Sequence, residues 1–121
     1  MHITAEQMAA FRSHAPRNFA LRMVDYIDAN FAGMRSHSGD VLPARQQLLT
    51  LVHALVLRAR SYDIQSEVGI SQFVALALAY TRDFDELPGV ADLLRNPDFT
   101  PEANIQHVLH IVVAAETRRL S

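Results

Sequence analysis

The sequence has no cysteine, no lysine and no tryptophan among its 121 residues, and only four glycines and five prolines. Without cysteine, disulfides and thiolate metal sites are excluded. Without lysine, every basic side chain is an arginine, and the eleven arginines are interspersed along the chain with thirteen acidic residues. A nucleic-acid-binding protein needs clustered positive charge, so this distribution argues against a nucleic-acid partner.

Long apolar runs are absent as well. The longest apolar stretches are residues 48–57, interrupted by Thr50 and His53, and residues 73–80. A bilayer-spanning helix takes about 20 apolar residues, so we expect no membrane span. The first residues also lack the basic and apolar segments of a secretion signal. These features predict a cytoplasmic protein, and a chain of 121 residues that is half apolar predicts one domain over residues 1–121.

The features that the sequence does have are typical of an all-α protein. No stretch alternates apolar and polar residues over a useful length, whereas apolar residues recur at helical spacing in several segments. The most apolar segment is residues 66–81, which Ser66 can cap. A helix that is apolar on nearly all sides is normally surrounded by other helices, and Ala75, Ala77 and Ala79 permit close approach. We therefore predict a compact bundle of five or six helices around this buried central helix.

Local signals place the other helices. Thr4 and Gln7 form a capping box for the first helix, which Pro16 is expected to kink or divide and Gly33 to end. Its apolar stripe consists of Met8, Phe11, Ala15, Phe19, Met23, Tyr26 and Ile27.

Three further helices follow from similar signals. Ser38 or Asp40 can cap the second helix, with Pro43 in its first turn. A short helix is predicted from Pro88 to Leu94. Thr100 starts the last helix, with Pro101 at its first position and Glu102 facing the positive end of its dipole.

The sequence offers little for catalysis. Its four glycines are scattered, so there is no phosphate-binding loop, and no serine lies in a nucleophile motif. His107 and His110 share one helical face and could hold a metal with a third ligand, but they lie opposite the apolar stripe, where surface histidines are the simpler interpretation. We expect that the protein is not an enzyme and that it binds no cofactor and no metal. A small metal-binding protein or enzyme built on these histidines and the acidic residues is the alternative of another class.

The most distinctive polar feature is the acidic segment, residues 83–87, which reads Asp83-Phe84-Asp85-Glu86-Leu87. In one interpretation its carboxylates cap the short helix that follows, while Phe84 enters the core. In the other, the segment is a protein-binding surface, with Phe84 and Leu87 as anchors and the carboxylates pairing with basic residues of a partner. Both can hold together, because a rigid cap also presents its charges.

Several motifs of this chain resemble small helical proteins that are encoded beside type VI secretion effectors. They are Ile3-Thr4-x-x-Gln7-Met8-x-x-Phe11, Phe19-x-x-Arg22-Met23, Tyr62-Asp63-Ile64-x-Ser66-Glu67-x-Gly69-x-x-x-Phe73-Val74 and Asp83-Phe84-Asp85-Glu86-x-Pro88. The chain departs from the pattern at Asp63, where those proteins usually have glycine.

The resemblance implies a co-chaperone that assists an adaptor chaperone in loading an effector onto the secretion spike. Its partner would be the effector or that chaperone. The alternative within binding proteins is an immunity protein that neutralises a cognate toxin. An apolar stripe left over on the amphipathic helices could also support a homodimer.

Overall fold

The computed structural model describes residues 5–36, 39 and 41–120, with side chains for residues 17–36, 39 and 41–115. This part of the chain forms five α-helices: α1 Ala5–Phe31, α2 Arg45–Ser61, α3 Glu67–Ala79, α4 Val90–Leu94 and α5 Pro101–Leu120. A short 3-10 turn, Phe84–Glu86, precedes α4. Extended pairing among these residues is limited to a single bridge between Arg35 and Val41. The predicted all-α bundle is confirmed.

The helices pack in chain order. α1 lies against α2, α2 against α3, and α3 against α5, which also contacts α4. At the centre the ring of Phe73, fully buried on α3, contacts the rings of Tyr62 and Phe84, with centroids 5.9 and 4.8 Å apart. Aromatic pairs in this geometry add to the free energy of burial. The core therefore joins α3 to the segments that precede and follow it.

α1 is one continuous helix across Pro16 and not two. Gly33, with a φ of 80°, follows its end as predicted, because glycine adopts the left-handed conformation without steric cost. The proposed capping box of Thr4 and Gln7 lies outside the described residues and side chains. The same is true of the first three members of the apolar stripe, which are Met8, Phe11 and Ala15.

The predicted start of α2 is wrong. The helix begins at Arg45, and its N-cap, Ala44, provides no side-chain hydrogen bond. The amide of Leu42 donates to the carbonyl of Met34 at 2.9 Å, and the Leu42 side chain is buried. This pairing holds the chain extended before Pro43, and a residue that precedes proline disfavours the helical conformation. Ser38 and Asp40, the predicted caps, lie outside the described residues.

α3 begins as predicted. The Ser66 hydroxyl accepts a hydrogen bond from the Gly69 amide at 3.0 Å and caps the helix. Gly69 lies very close to the turn that precedes α3. A Cβ atom built on Gly69 would be 2.7 Å from Cγ2 of Ile64, which is fully buried. This contact fixes the turn between α2 and α3 against the first turn of α3.

α3 is the buried central helix that the sequence predicts, with seven of its 13 residues buried, but one side of it is uncovered. Ala77 is fully buried, but Val68, Ala75 and Ala79 are exposed. The side of α3 that faces α1 is open because α1 packs on α2, so the two helices leave a gap between them.

The chain after α3 follows the predictions closely. α4 starts two residues later than expected, after Gly89 with a φ of 83°. The Thr100 hydroxyl caps α5 by accepting from the Ala103 amide at 3.1 Å. Asn104 is buried and donates to the carbonyls of Leu94 and Asn96, which ties α4 to α5. The side chains of Arg118 and Arg119 lie outside the described part.

Among the described residues, no helix combines the length and the apolar character that crossing a bilayer requires.

Candidate protein-binding site

The structure divides the acidic segment between the core and the surface. Phe84 is fully buried and Asp85 is only 5 % exposed, whereas Asp83 and Glu86 are exposed and Leu87 is 37 % exposed. The prediction that Phe84 enters the core is confirmed. Phe84 is therefore not an exposed anchor, and the outward face of the segment consists of Asp83, Glu86 and Leu87.

Asp85 is satisfied inside the protein. Its Oδ2 atom accepts a hydrogen bond from the Tyr62 hydroxyl at 2.9 Å, and its Oδ1 atom accepts one from Nη1 of Arg58 at 3.0 Å. Burial, followed by the hydrogen bond to Asp85, raises the pKa of the Tyr62 hydroxyl above its ordinary value. The guanidinium of Arg95 lies 4.7 Å from the centre of the same tyrosine ring, in a cation–π contact. One carboxylate thus links α2 to the chain that follows α3.

Two arginines hold the backbone of the acidic segment. Arg58 donates a second hydrogen bond to the carbonyl of Arg82 at 2.9 Å. Arg82 in turn donates to the carbonyls of Ala77 and Leu78 at the end of α3, at 3.2 and 3.0 Å. Carbonyls in the last turn of a helix lack partners within that helix, so a guanidinium with several donors is suited to this position. Arg58 thus connects the start of the acidic segment to α2, and Arg82 connects it to the end of α3.

The predicted capping role of the carboxylates is wrong. Neither the 3-10 turn nor α4 has a side-chain hydrogen bond at its N-cap, and the N-cap of α4 is Gly89. Asp85 points inward because Arg58 and Tyr62 provide a cation and a hydroxyl there. Asp83 lies 3.7 Å from Nη1 of Arg58 at the surface, where it adds a weak, solvent-screened attraction.

A carboxylate also caps α3 from another helix. Oε1 of Glu102, in the first turn of α5, accepts hydrogen bonds from the backbone amides of Gln65 and Ser66 at 3.2 and 3.3 Å. The hydrogen bond from Gln65 is the main cause that lowers the pKa of Glu102. The sequence predicted Glu102 as an acid near the start of its own helix, and the structure adds that it bridges to α3.

A second candidate surface is the α1–α3 groove, whose place the sequence did not predict, although a leftover apolar stripe was expected. This is a depression of about 490 Å³ between the two helices. Tyr26, 63 % exposed, and Phe31, 42 % exposed, line its α1 side, while Ala75 and Ala79 lie on its α3 side. The lining residues are Phe19, Arg22, Met23, Tyr26, Ile27, Phe31, Met34, Ser71, Val74, Ala75, Leu78 and Ala79.

An ion pair lies beside the α1–α3 groove. Nη2 of Arg22 on α1 donates to Oε1 of Glu67, the first residue of α3, at 2.7 Å, and both side chains are well exposed.

A second, shallower depression, lined by Glu67, Val68 and Leu109 among others, lies on the other side of Ser71 and Ala75. The exposed face of α3 is thus bordered by apolar side chains in both directions. The sequence signal was the apolar stripe on α1 itself.

The three histidines whose side chains the structure describes do not form a metal site. His107 and His110 are exposed on α5, and the His107 ring makes an edge contact with Phe99, with centroids 4.9 Å apart. His53 is partly buried on α2, in a depression that Arg17 of α1 also lines. Within the part of the chain that the structure describes, no three side chains of His, Cys, Asp or Glu come close enough together to hold a metal ion.

Comparison of the chain with protein-family models, with curated proteins and with solved structures finds no match.

Proposed function

We propose that the protein is a non-enzymatic, protein-binding accessory that acts in the cytoplasm as a co-chaperone or adaptor. It assists the loading of a type VI secretion effector together with its chaperone. The secretion role comes from the resemblance of the sequence motifs. The protein-binding role is supported by the geometry of the acidic segment.

The observation that carries the proposal is the rigid presentation of the exposed part of this segment. Asp83, Glu86 and Leu87 lie on a backbone that the inward-facing Asp85 holds in place. A backbone that is ordered before binding loses less entropy when a partner arrives. Two carboxylates beside a leucine suit a partner surface with arginine or lysine around an apolar pocket. The partner contacts that we propose are therefore Asp83, Glu86 and Leu87, with Phe84 and Asp85 as their support.

The test is a pull-down with the tagged protein from cells that carry its neighbouring genes, followed by calorimetry with the recovered partner. We expect an effector or an adaptor chaperone to be recovered. The double substitution Glu86→Lys and Leu87→Ala is expected to weaken binding at least about tenfold, because it reverses one charge and removes one apolar contact. The matched control is Asp98→Lys, which changes the charge equally at an exposed site outside the segment.

The outcomes separate the candidate functions. Equal binding by the double variant and the wild type would exclude the acidic segment as the contact surface. Protection of cells that express a neighbouring toxin, without any effect on effector loading, would assign the immunity role instead.

A further inference from the structure

The α1–α3 groove leaves aromatic side chains in contact with water. Tyr26 and Phe31 are both exposed and contact each other edge to face, with ring centroids 6.0 Å apart. On the α3 side of the groove three of the five lining residues are small and lie one helical turn apart, namely Ser71, Ala75 and Ala79. A contiguous exposed apolar patch of this kind usually marks an interaction site.

The part of the groove lining that lies between Phe19 and Met34 has the composition of the core of an interface between identical subunits. Cores of interfaces are enriched in Phe, Tyr, Met and Arg and depleted of other charged residues, and homodimer interfaces are the more apolar class. Arg22 is the only charged residue among the twelve that line the groove. Half of the lining belongs to the enriched types: Phe19, Arg22, Met23, Tyr26, Phe31 and Met34.

The groove also contains both kinds of surface feature that a two-fold interface requires. In a two-fold interface the same patch of both copies meets, so the patch must contain both a protrusion and a depression that fits it. The exposed pair Tyr26 and Phe31 provides the protrusion. The strip of Ser71, Ala75 and Ala79 provides the depression, because small side chains let a neighbouring residue approach the helix closely.

The charges beside the groove are self-complementary too. Arg22 and Glu67 carry opposite charges, so a two-fold axis that passes near this pair brings the arginine of one copy towards the glutamate of the other. Arg22 has five N–H donors, so it can bind its own Glu67 and a second carboxylate together. The formal net charge of −2 opposes the approach of a second copy only weakly.

From these observations we propose that a second copy of this chain covers the α1–α3 groove, which makes the free protein a two-fold homodimer. The inference is independent of the proposed function, since it concerns a different surface and the protein without its partner.

The test is the mass of the purified full-length chain in solution, by sedimentation and by light scattering, over a range of concentrations. The wild type is expected to have twice the 13.5 kDa mass of one chain. Ala75→Arg is expected to raise the dissociation constant more than about a hundredfold, because it buries an unpaired charge in the interface. The matched control, Ala54→Arg, makes the same change at an exposed site on α2 outside the groove and is expected to remain dimeric.

Single cysteines provide a second readout, since the chain has no cysteine of its own. A bifunctional thiol reagent is expected to link two copies of Ala75→Cys or Ala79→Cys and not of Ala54→Cys. Should Ala75→Arg fail to fold by circular dichroism, Tyr26→Arg takes its place, because that side chain is mostly exposed.

Three results would overturn the proposal. The first is a monomeric wild type at millimolar concentration. The second is a dimer that neither Ala75→Arg nor Tyr26→Arg weakens, and the third is a dimer that is linked at position 54 but at neither 75 nor 79. A monomer that still binds an effector or its chaperone would leave the proposed function standing while excluding the homodimer.

Discussion

The Tyr62 hydroxyl donates a hydrogen bond of 2.9 Å to the carboxylate of Asp85, and both residues are buried. The two belong to different parts of the chain. Tyr62 follows α2, and Asp85 lies in the 3-10 turn before α4. Arg58 compensates the charge of Asp85 from the end of α2. A polar contact in the interior therefore decides where the acidic segment lies.

Replacing Asp85 by asparagine tests this contact. Asp85→Asn keeps the shape of the side chain but leaves Arg58 without its charged acceptor, so we expect a loss of about 1.5 to 3 kcal/mol in the free energy of unfolding. Urea denaturation followed by circular dichroism measures it. Asp83→Asn is the matched control, because Asp83 is exposed and 3.7 Å from the same guanidinium, and it should change stability by less than about 0.5 kcal/mol. Equal effects of the two substitutions would contradict this account.

The bridge from Glu102 to the start of α3 predicts a dependence on pH. The pKa of Glu102 is lowered in the folded protein, so its contribution is present above the ordinary glutamate pKa of about 4.3. That contribution is lost as the pH falls through the folded-state pKa. Glu102→Gln should therefore lower the melting temperature at pH 7 and approach the wild type in acid. Its cost at pH 7 should be about 1 kcal/mol, as for the loss of a helix cap.

The matched control for this prediction is Glu86→Gln, which removes the charge of an exposed glutamate. The difference in melting temperature between the wild type and Glu102→Gln is measured by thermal unfolding at intervals from pH 7 down to pH 3. A difference that stays constant over this range would show that the charge of Glu102 is not what stabilises α3.

Gly69 permits a prediction whose sign opposes helix propensity. In the interior of a helix, alanine is usually more stable than glycine by about 0.5 to 1 kcal/mol. Here the added Cβ would be 2.7 Å from the buried Cγ2 atom of Ile64, and overpacking of this kind costs about 1 to 3 kcal/mol. We expect Gly69→Ala to lower the melting temperature in calorimetry. A higher melting temperature would mean that α3 can move away from Ile64 at little cost.

Asp63 is the only non-glycine residue with a positive φ in the described part of the chain, at 63°. A left-handed conformation costs an ordinary residue about 1 to 2 kcal/mol, and glycine avoids that cost. Asp63→Gly should raise the free energy of unfolding by about 0.5 to 1 kcal/mol, after allowance for the greater freedom of glycine in the unfolded chain. Urea denaturation measures this gain.

The control for Asp63 is Asp98→Gly, at an exposed aspartate whose φ is not positive. That substitution should not stabilise the protein. A gain of the same size at both positions would show that the backbone angle of Asp63 is not the cause.

The predictions from sequence held where a few neighbouring residues determine the structure. Ser66 and Thr100 each cap a helix through an amide three residues ahead, so the chain itself supplies both partners. For Phe84 the sequence left open a place in the core or an exposed anchor, and the structure shows the first. The start of α2 was wrong because it depends on a distant partner, the carbonyl of Met34, which holds Leu42 extended.

The candidate sites depended on such distant partners and were harder to predict. Asp85 is held by Arg58 and Tyr62, which are 27 and 23 residues away in the sequence, so its inward direction has no local signal. The stripe on α1 showed that Met23 and Tyr26 share a helical face. Periodicity does not reveal which neighbour covers a face, and Tyr26 is left exposed because α1 packs on α2 and leaves a groove beside α3.

The anchoring of the acidic segment has a consequence for the exchange of its amide hydrogens with solvent. The amides of Phe84, Glu86 and Leu87 all donate to carbonyls within residues 81–84. A surface turn normally opens locally, long before the whole protein unfolds. This turn cannot open without releasing Arg58 from Asp85 and Phe84 from Phe73, so its amides should exchange about as slowly as those at the centre of α3. A segment that looks like a loop in the sequence would then belong to the most slowly opening part of the protein.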